Sequence, residues 1–353
     1  MKCLMILSAA VISSLLPLTS CKHSTEPPIV LPDTTSHNFT WGAQYLGDGN
    51  SSMLHDVAII NDTLAYAVGE IYMKDSTGSF DPVVYNVAKW NANRWNIQRI
   101  PYWYQGSPYY AAIQSVFAFG ENDIWFGIGN LVHWNGVDFY PVPVPAFISK
   151  ANRLWGRSSQ DLFLVGSAGL IYHFNGSAWQ SVPSSTTLPI QDIWGGVNSN
   201  TGQTEILALA SNGFEVPSAR RLLRIQGLAV SSVPDSGLPL IMSGLWFSPG
   251  EKYYVVGDGL FEKDQIATST PWIPFHTGLT AYYTEAIRGS GFNDVFIVGH
   301  FGTVLHFNGA TWHNYQGELS IPNAILHAVA IKGNVAIAVG YSEGKAVVIV
   351  GKR

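Results

Sequence analysis

One pattern of residues recurs three times in this chain of 353 residues. Each copy has a short apolar run, followed by a histidine, an aromatic residue, an asparagine and a glycine. The copies occupy residues 124–136, 161–179 and 294–312, and the last two end on a tryptophan. Repeats of about 40 residues made of short strands are typical of the blades of a β-propeller. The pattern therefore predicts an all-β fold built from repeated blades.

Weaker copies of the same pattern bring the number of blades to seven. Seven apolar runs fit innermost strands: 57–59, 116–118, 154–155, 193–194, 245–247, 287–288 and 329–331. Seven more fit second strands: 65–68, 124–126, 162–165, 206–209, 253–256, 295–298 and 336–339. Six or eight blades are the alternatives, because the fourth and fifth copies are weakly marked.

Glycine and asparagine mark the expected turns. Five second strands end on a glycine: Gly69, Gly166, Gly257, Gly299 and Gly340. We expect these glycines to supply the positive φ that a tight hairpin turn needs. Each Asn-Gly pair after a third strand predicts a hairpin with a type I′ turn.

The seventh copy has no outer strand of its own. The sequence ends shortly after the apolar run 346–350, whereas residues 39–41 (Phe-Thr-Trp) resemble an outer strand that no copy precedes. We therefore predict a seven-bladed β-propeller over residues 37–353, in which this N-terminal strand closes the last blade. Such closure leaves no open sheet edge between the first and last blades.

The first 36 residues have a different composition. Lys2 precedes an apolar stretch, residues 4–16, that is too short to span a bilayer, as in a signal peptide. The following Leu-Thr-Ser-Cys ends at Cys21 and resembles the bacterial lipobox, in which the cysteine is lipidated. We expect residues 1–20 to be a lipoprotein signal peptide and residues 21–36 to be a flexible tether.

The lipobox has consequences for location. A lipid on Cys21 would anchor the domain in a membrane outside the cytoplasm. Lys22 follows instead of the aspartate that retains enterobacterial lipoproteins in the inner membrane, so we expect the outer membrane. An ordinary signal peptide with a chance cysteine is the alternative. Cys3 is the only other cysteine, so the mature domain has no disulfide.

Composition limits the class of partner. Charged residues make up 12% of the chain and the formal net charge is −5. A nucleic-acid-binding protein concentrates lysine and arginine on one surface, and this sequence has no such run. The composition therefore argues against nucleic-acid binding, and it fits strands buried on both faces.

The repeated histidines have the residue type of metal ligands but not the placement. His133, His173 and His306 occupy equivalent positions in different blades, so we expect them to lie far apart with a structural role. Their motif resembles the Asp-box of sialidase-like propellers, with Asn175 and Trp179 in the Asp and aromatic places and a turn about one residue shorter.

The resemblance extends to nearly the whole mature chain. It is similar to bacterial lipoprotein β-propellers with degenerate Asp-box, WD40 or YVTN-like repeats, and photosystem stability factors are similar in kind. This resemblance implies architecture and not activity. Sialidase chemistry needs an arginine triad, and the only arginines near inner strands are Arg153, Arg157 and Arg288, which come from two blades.

A ring of polar residues is the main candidate site. The residue two positions before each inner apolar run is polar in all seven copies: His55, Gln114, Asn152, Gln191, Ser243, Glu285 and His327. Inner strands meet at the central channel, so these side chains should encircle its mouth. We interpret them first as caps of backbone groups and second as a ligand-binding set. His55, Glu285 and His327 come from blades that become neighbours on closure, and they could hold a divalent metal.

The sequence contains no Walker loop, no His-Glu-x-x-His and no nucleophile elbow. We therefore expect a non-catalytic binding or scaffolding propeller at the cell envelope, without a cofactor, whose partner is an envelope protein or a surface polysaccharide. The alternative is a carbohydrate-active enzyme acting at the channel mouth. Paired carboxylates would favour the enzyme; the ring contains only Glu285, with Asp56 and Asp192 one residue along.

Overall fold

The computed structural model describes residues 33–145, 150–199, 201–213, 219–275 and 278–353. These residues belong to one compact unit, Asp33–Arg353. The predicted signal peptide, the lipidated Cys21 and most of the tether lie outside the described residues and stay predictions. In the described part, no helix combines the length and apolar character that crossing a membrane requires.

Strand β1 (Thr40–Leu46) precedes the first blade. The first blade contains β2 (Met53–Asn61), β3 (Leu64–Ile71), β4 (Tyr85–Trp90) and β5 (Trp95–Gln98). A separate hairpin follows, made of β6 (Tyr102–Tyr104) and β7 (Ser107–Tyr109). The second blade contains β8 (Ser115–Gly120), β9 (Asp123–Ile128), β10 (Asn130–Trp134) and β11 (Phe139–Val142). The third contains β12 (Ala151–Ser158), β13 (Asp161–Gly166), β14 (Ile171–Phe174) and β15 (Trp179–Ser181).

The fourth blade contains β16 (Ile190–Val197), β17 (Thr204–Ser211), β18 (Arg220–Gln226) and β19 (Ala229–Val233). The fifth contains β20 (Met242–Ser248), β21 (Lys252–Gly257), β22 (Gly259–Lys263) and β23 (Ile273–Pro274). The sixth contains β24 (Thr284–Gly291), β25 (Asp294–Gly299), β26 (Val304–Phe307) and β27 (Trp312–Asn314). The seventh contains β28 (Ile325–Lys332), β29 (Val335–Ser342) and β30 (Lys345–Lys352), completed by β1. Single 3-10 turns lie at Ser167–Gly169 and His300–Gly302.

The seven blades form a closed ring. Each blade is a four-stranded antiparallel sheet, and its first strand contacts the first strands of both neighbouring blades, including β2 against β28. Every predicted inner run lies in one of these first strands, and every predicted second run lies in the strand that follows. The seven-bladed propeller predicted from the sequence is confirmed.

The N-terminal strand closes the last blade, as predicted. β1 pairs antiparallel with β30 along its whole length, with Trp41 opposite Gly351. The C-terminal residue crosses to the sixth blade, where the two terminal nitrogens of Arg353 each lie 2.9 Å from a carboxylate oxygen of Asp294. Thr35, in the predicted tether, donates its backbone N–H to Asn308 O at 3.0 Å. The described contacts of the domain therefore begin before residue 37.

Both faces of each sheet are buried, which explains the scarcity of charge. On β13, Leu162 and Leu164 pack in one hydrophobic cluster, while Phe163 and Val165 pack in another. Successive side chains of a strand point to opposite faces, so a sheet between two neighbouring blades needs apolar residues at nearly every position. The second strands accordingly have continuous apolar sequences instead of alternating ones.

The Asn-Gly hairpins form as predicted, but the type I′ turn is wrong. In all three copies only the glycine has a positive φ, at 93°, 88° and 99° for Gly136, Gly176 and Gly309. A type I′ turn needs positive φ at both central residues. The asparagine instead accepts two backbone N–H groups with its side-chain oxygen, as Asn175 does from Ser177 and Ala178 at 3.1 and 3.0 Å. The asparagine thus fixes a longer loop through its side chain.

Candidate functional site

A β-bulge presents each residue of the predicted polar ring. In six inner strands the pairing with the second strand skips one residue, and the skipped residues are His55, Asn152, Gln191, Ser243, Glu285 and His327. Gln114 directly precedes β8, and its backbone N–H donates to Gly127 O at 2.9 Å. A bulge leaves its extra residue unpaired in the ladder and redirects the side chain. The same irregularity therefore repeats around the channel mouth.

The five glycines predicted to close the second strands lie at or near the ends of these strands and accommodate the bulges, and the positive φ expected of them is wrong at four positions. Gly69, Gly166, Gly299 and Gly340 do not have positive φ, whereas Gly257 has a φ of 154°. A Cβ on any of the four would lie 1.9–2.3 Å from the carbonyl oxygen two residues before the ring residue. Glycine is needed there because the backbone of the bulge approaches so closely.

All seven predicted ring residues line a single cavity. Its volume is about 580 Å³, within the usual range for ligand pockets of about 300–1,000 Å³. Other described lining residues include Lys150, Arg153, Tyr283 and His300. The seven side chains therefore encircle the channel mouth as expected, and binding of a ligand by them stays a prediction.

Three ring residues cap backbone carbonyl groups, as the first interpretation expected. Asn152 donates to Ile190 O at 2.7 Å and Gln191 donates to Ser211 O at 2.8 Å. Ser243 donates to Thr284 O at 2.6 Å, across the boundary between the fifth and sixth blades. These side chains satisfy carbonyl groups where loops meet the sheets.

On the side of the mouth formed by the first, second and seventh blades, the ring residues do not cap any described backbone group. Among the described residues, none forms a hydrogen bond with the side chain of His55, Gln114 or His327, which belong to the adjacent first, second and seventh blades. Their half-buried side chains line the cavity, and the rings of His55 and His327 lie 6.3 Å apart between centroids. We call His55, Gln114 and His327 the open sector. Its polar groups are available to a ligand.

Glu285 borders the open sector but has a partner. Its Oε1 lies 2.9 Å from His300 Nε2, and His300 follows β25 in the same blade. In the described part of the chain, no group of three His, Cys, Asp or Glu residues could hold a metal ion. The hypothesis of a metal bound by His55, Glu285 and His327 therefore gains no support, because its one carboxylate is already engaged with His300.

The electrostatic environment of the open sector is positive. Burial, together with the nearby His327 and the cations Lys150 and Arg153, lowers the pKa of His55 to about 4. Burial also lowers the pKa of His327, although Glu285 acts in the opposite direction. Both imidazoles are therefore neutral at pH 7 in the empty cavity.

A buried ion cluster forms the floor beneath the ring. Arg153 Nη1 lies 3.1 Å from Asp56, and Arg288 binds Asp192 at 2.6 and 2.9 Å. Arg153 Nε lies 3.6 Å from the same Asp192, which links the two pairs. The sequence indicated these residues only as near inner strands. Here they join four blades across the channel.

The three arginines near the inner strands, Arg153, Arg157 and Arg288, do not form an arginine triad. Arg157 pairs with Asp161 at the turn between β12 and β13, and its side chain is 53% exposed. Arg153 and Arg288 are each matched with a carboxylate. Three unpaired guanidinium groups facing one substrate carboxylate, as sialidase chemistry needs, are not found among the described residues.

The repeated histidines have a structural role in separate blades. Each donates its Nε2–H to an aspartate of its own blade: His133 to Asp123 at 2.7 Å, His173 to Asp161 at 2.8 Å and His306 to Asp294 at 3.0 Å. Each imidazole also stacks on the aromatic residue directly opposite it in the sheet, with centroids 4.3–4.4 Å apart. In the fourth and fifth blades the same places hold Glu205 with Arg224 and Lys252 with Glu262.

Two groups of exposed aromatic residues lie close in sequence to residues that line the cavity. The hairpin β6–β7 lies in the connection to β8, next to Gln114, and exposes Tyr104 and Tyr109 to 48% and 47%. On the sixth blade the rings of Tyr282 and Phe301 pack at an angle of 40° with centroids 4.6 Å apart, and the two residues adjoin the cavity residues Tyr283 and His300 in sequence. Sequence reasoning missed both groups, although the Gln-Gly pair between two aromatic runs marked the hairpin turn.

Solved propellers resemble this chain in fold. The similar structures include YCF48 bound to D1 peptide, with a TM-score of 0.63, 15% identity, and coverage of 93% of this chain and 99% of that one. The WD40 β-propeller domain of Doa1 has a TM-score of 0.59 and 13% identity, with coverage of 89% of this chain and 98% of that one. Virginiamycin B lyase from Staphylococcus aureus has a TM-score of 0.51 and 10% identity, with coverage of 89% of this chain and 99% of that one. The sequence matches no protein-family model and no curated protein.

Proposed function

We propose that the protein is a non-catalytic binding propeller that takes a polypeptide segment of a partner protein across the mouth of its central channel. The observation that carries the proposal is the open sector, where three polar side chains without partners among the described residues line a cavity of about 580 Å³. A binding site needs such unsatisfied groups, and the capped side of the same ring does not have them.

The two groups of exposed aromatic residues support a polypeptide ligand. Exposed tyrosine and phenylalanine side chains are enriched at protein interfaces, since they bury much area at a low cost in conformational entropy. Phe301 is 49% exposed and has a φ of 55°, a left-handed conformation that is unfavourable for a bulky residue. Such strain in an exposed aromatic side chain is consistent with a functional contact. A solved propeller of similar fold, YCF48, holds a peptide.

The enzyme alternative has less in its favour. Glycoside hydrolysis ordinarily uses two carboxyl groups on either side of the scissile bond. Among the described lining residues of the cavity, Glu285 is the only acid, and it is bound to His300. Asp56 and Asp192 are held by Arg153 and Arg288 in the floor. We therefore favour binding over catalysis, with a surface glycan as the second class of ligand.

We also propose that the domain works at the cell envelope, anchored through a lipid on Cys21 and facing outward from the outer membrane or into the periplasm. The support is the Leu-Thr-Ser-Cys sequence that ends at Cys21. Replacing this residue, Cys21→Ser, should move the protein from the membrane fraction to the soluble one.

A peptide selection tests the function. Random 12-residue peptides displayed on phage should be enriched by the detergent-solubilised full chain. The substitutions Gln114→Ala and His327→Ala should each weaken the selected peptides by about tenfold, which corresponds to about 1.4 kcal/mol. Gln160→Ala is the matched control, because Gln160 is exposed at the turn between β12 and β13, at the other end of the blade.

Two outcomes would contradict the proposal. The first is that no peptide is enriched. The second is that the enriched peptides bind the Gln114→Ala and His327→Ala proteins as tightly as they bind the unaltered chain. If the unaltered chain binds oligosaccharides and the Gln114→Ala and His327→Ala proteins do not, the ligand of this site is a glycan.

A further inference from the structure

We infer that the open sector accepts a carboxylate side chain, so that the bound segment is an acidic peptide with a glutamate or aspartate at the position that enters the cavity. This inference rests on the proposed function and specifies its ligand. It follows from the charges around the open sector, from the donors that face the cavity, and from the protonation of the two histidines.

The described cations nearest the open sector are Lys150 and Arg153, both at the start of the third blade. Lys150, just before β12, is exposed at the cavity and has no ion-pair partner among the described residues. Arg153 lies under the two histidines, with its terminal nitrogens 3.5 Å from the carbonyl oxygens of His55 and His327. Two acids of the floor, Asp56 and Asp192, are matched by Arg153 and Arg288.

The other described groups around the open sector are one acid and two tyrosines. The acid, Glu285, lies at the edge of the open sector and its carboxylate is hydrogen-bonded to His300 at the sixth blade. Burial raises the pKa of Tyr283 to about 12, so its phenol stays neutral. Tyr341 stacks on His327 with ring centroids 6.0 Å apart. Among the described residues at the open sector, Lys150 is thus the cation without an ion-pair partner, and it would repel a lysine or arginine side chain entering the cavity.

The donors also suit a carboxylate. Gln114 can donate two N–H bonds, each neutral imidazole can donate one, and the Lys150 ammonium can donate three. An ionised carboxylate only accepts hydrogen bonds, and it has about four lone-pair positions to fill. Hydrogen bonds to a charged partner are roughly twice as strong as those between neutral groups. The open sector thus offers several donors where a carboxylate needs them.

Proton uptake is the consequence that distinguishes a carboxylate from a neutral ligand. Burial and then nearby positive charge hold the pKa of His55 at about 4. A bound carboxylate favours the protonated imidazole and raises that pKa. The complex then binds more protons than the free protein, so affinity increases as the pH falls from about 7.5 to 5.5, where the carboxylate of the peptide stays ionised.

The experiment uses the peptides selected on the full chain and counterparts in which glutamine or asparagine replaces each acid. The acidic forms should bind about tenfold more tightly than their amide counterparts. Lys150→Gln should remove most of that difference. Lys332→Gln should leave it unchanged, because Lys332 lies exposed at the opposite end of the channel.

The pH arm uses the same peptides. Affinity should increase about threefold to tenfold between pH 7.5 and pH 5.5, and the increase should disappear in the double variant His55→Gln, His327→Gln. Peptides that depend on Gln114 and His327 but bind equally as amides would overturn this inference and leave the proposed function standing. Failure to select any peptide would overturn both. If the protein binds oligogalacturonate but no peptide, the proposal of a carboxylate ligand stands and the proposal of a peptide ligand is wrong.

Discussion

The variant Asp192→Ala is expected to lower the free energy of unfolding by about 3–5 kcal/mol. The Asp192 side chain is 2% exposed and accepts hydrogen bonds from the backbone N–H groups of Ile193 and Leu245 at 3.0 and 2.9 Å. It also holds the guanidinium of Arg288 at 2.6 and 2.9 Å. Removing it leaves a largely buried cation without its carboxylate and a backbone donor without an acceptor.

The measurement is urea unfolding of the full chain followed by tryptophan fluorescence. Asp264→Ala is the matched control, since Asp264 also pairs with a cation, Lys252, at 2.6 Å but is 75% exposed. An exposed pair of this kind contributes at most about 1 kcal/mol. A loss for Asp192→Ala no larger than that of the control would show that the ion cluster does not hold the inner strands together.

The variant Phe39→Ala is expected to cost about 3–5 kcal/mol, because it removes a buried aromatic side chain at the closure of the ring. Phe39 is 8% exposed and packs edge-to-face on Phe296 of the sixth blade with centroids 5.3 Å apart. The guanidinium of Arg353 lies 5.0 Å from the centre of the same ring. This one side chain therefore contacts the N-terminal segment, the C-terminal residue and the neighbouring blade.

Tyr45→Ala on β1 is the control for closure. Tyr45 is 47% exposed, so its removal should change stability by less than about 0.5 kcal/mol. Beyond the loss of stability, loosening β1 would uncover the edge of β30, and unpaired strand edges promote association. Equal and small effects of Phe39→Ala and Tyr45→Ala, measured by urea unfolding and light scattering, would argue that the ring is held closed without the N-terminal strand.

The fold could be predicted from sequence because each blade repeats one local pattern. Apolar runs, glycines and Asn-Gly pairs recur at fixed offsets, and even the polar ring has a constant offset from the inner run. That offset has a physical cause in the bulge, which skips His55 in the first blade as it skips His327 in the seventh. Local rules failed where a residue acts on distant backbone, as at Gly340, whose hydrogen atom faces the carbonyl of Ile325.

Which ring residues have hydrogen-bond partners could not be predicted, because those partners lie on other strands or in other blades. Glu285 forms a hydrogen bond with His300, and Asn152 donates one to the backbone carbonyl of Ile190. Asp192 and Arg288 meet across 96 residues of sequence. The eroded fifth blade shows the same limit: Lys252 and Glu262 replace the Asp and His of the motif with their charges exchanged. A search for the same residue types does not find this interaction, because different residues form it in the fifth blade.

The most direct test of the binding site is a crystal structure of the full chain with a selected 12-residue peptide. We predict that the peptide lies over the cavity and that one of its side chains contacts Gln114 and at least one of His55 and His327. We also expect the hairpin β6–β7 or the Tyr282–Phe301 pair to contact the peptide. A peptide bound along a blade edge, or at the opposite end of the channel near Lys332, would contradict the account.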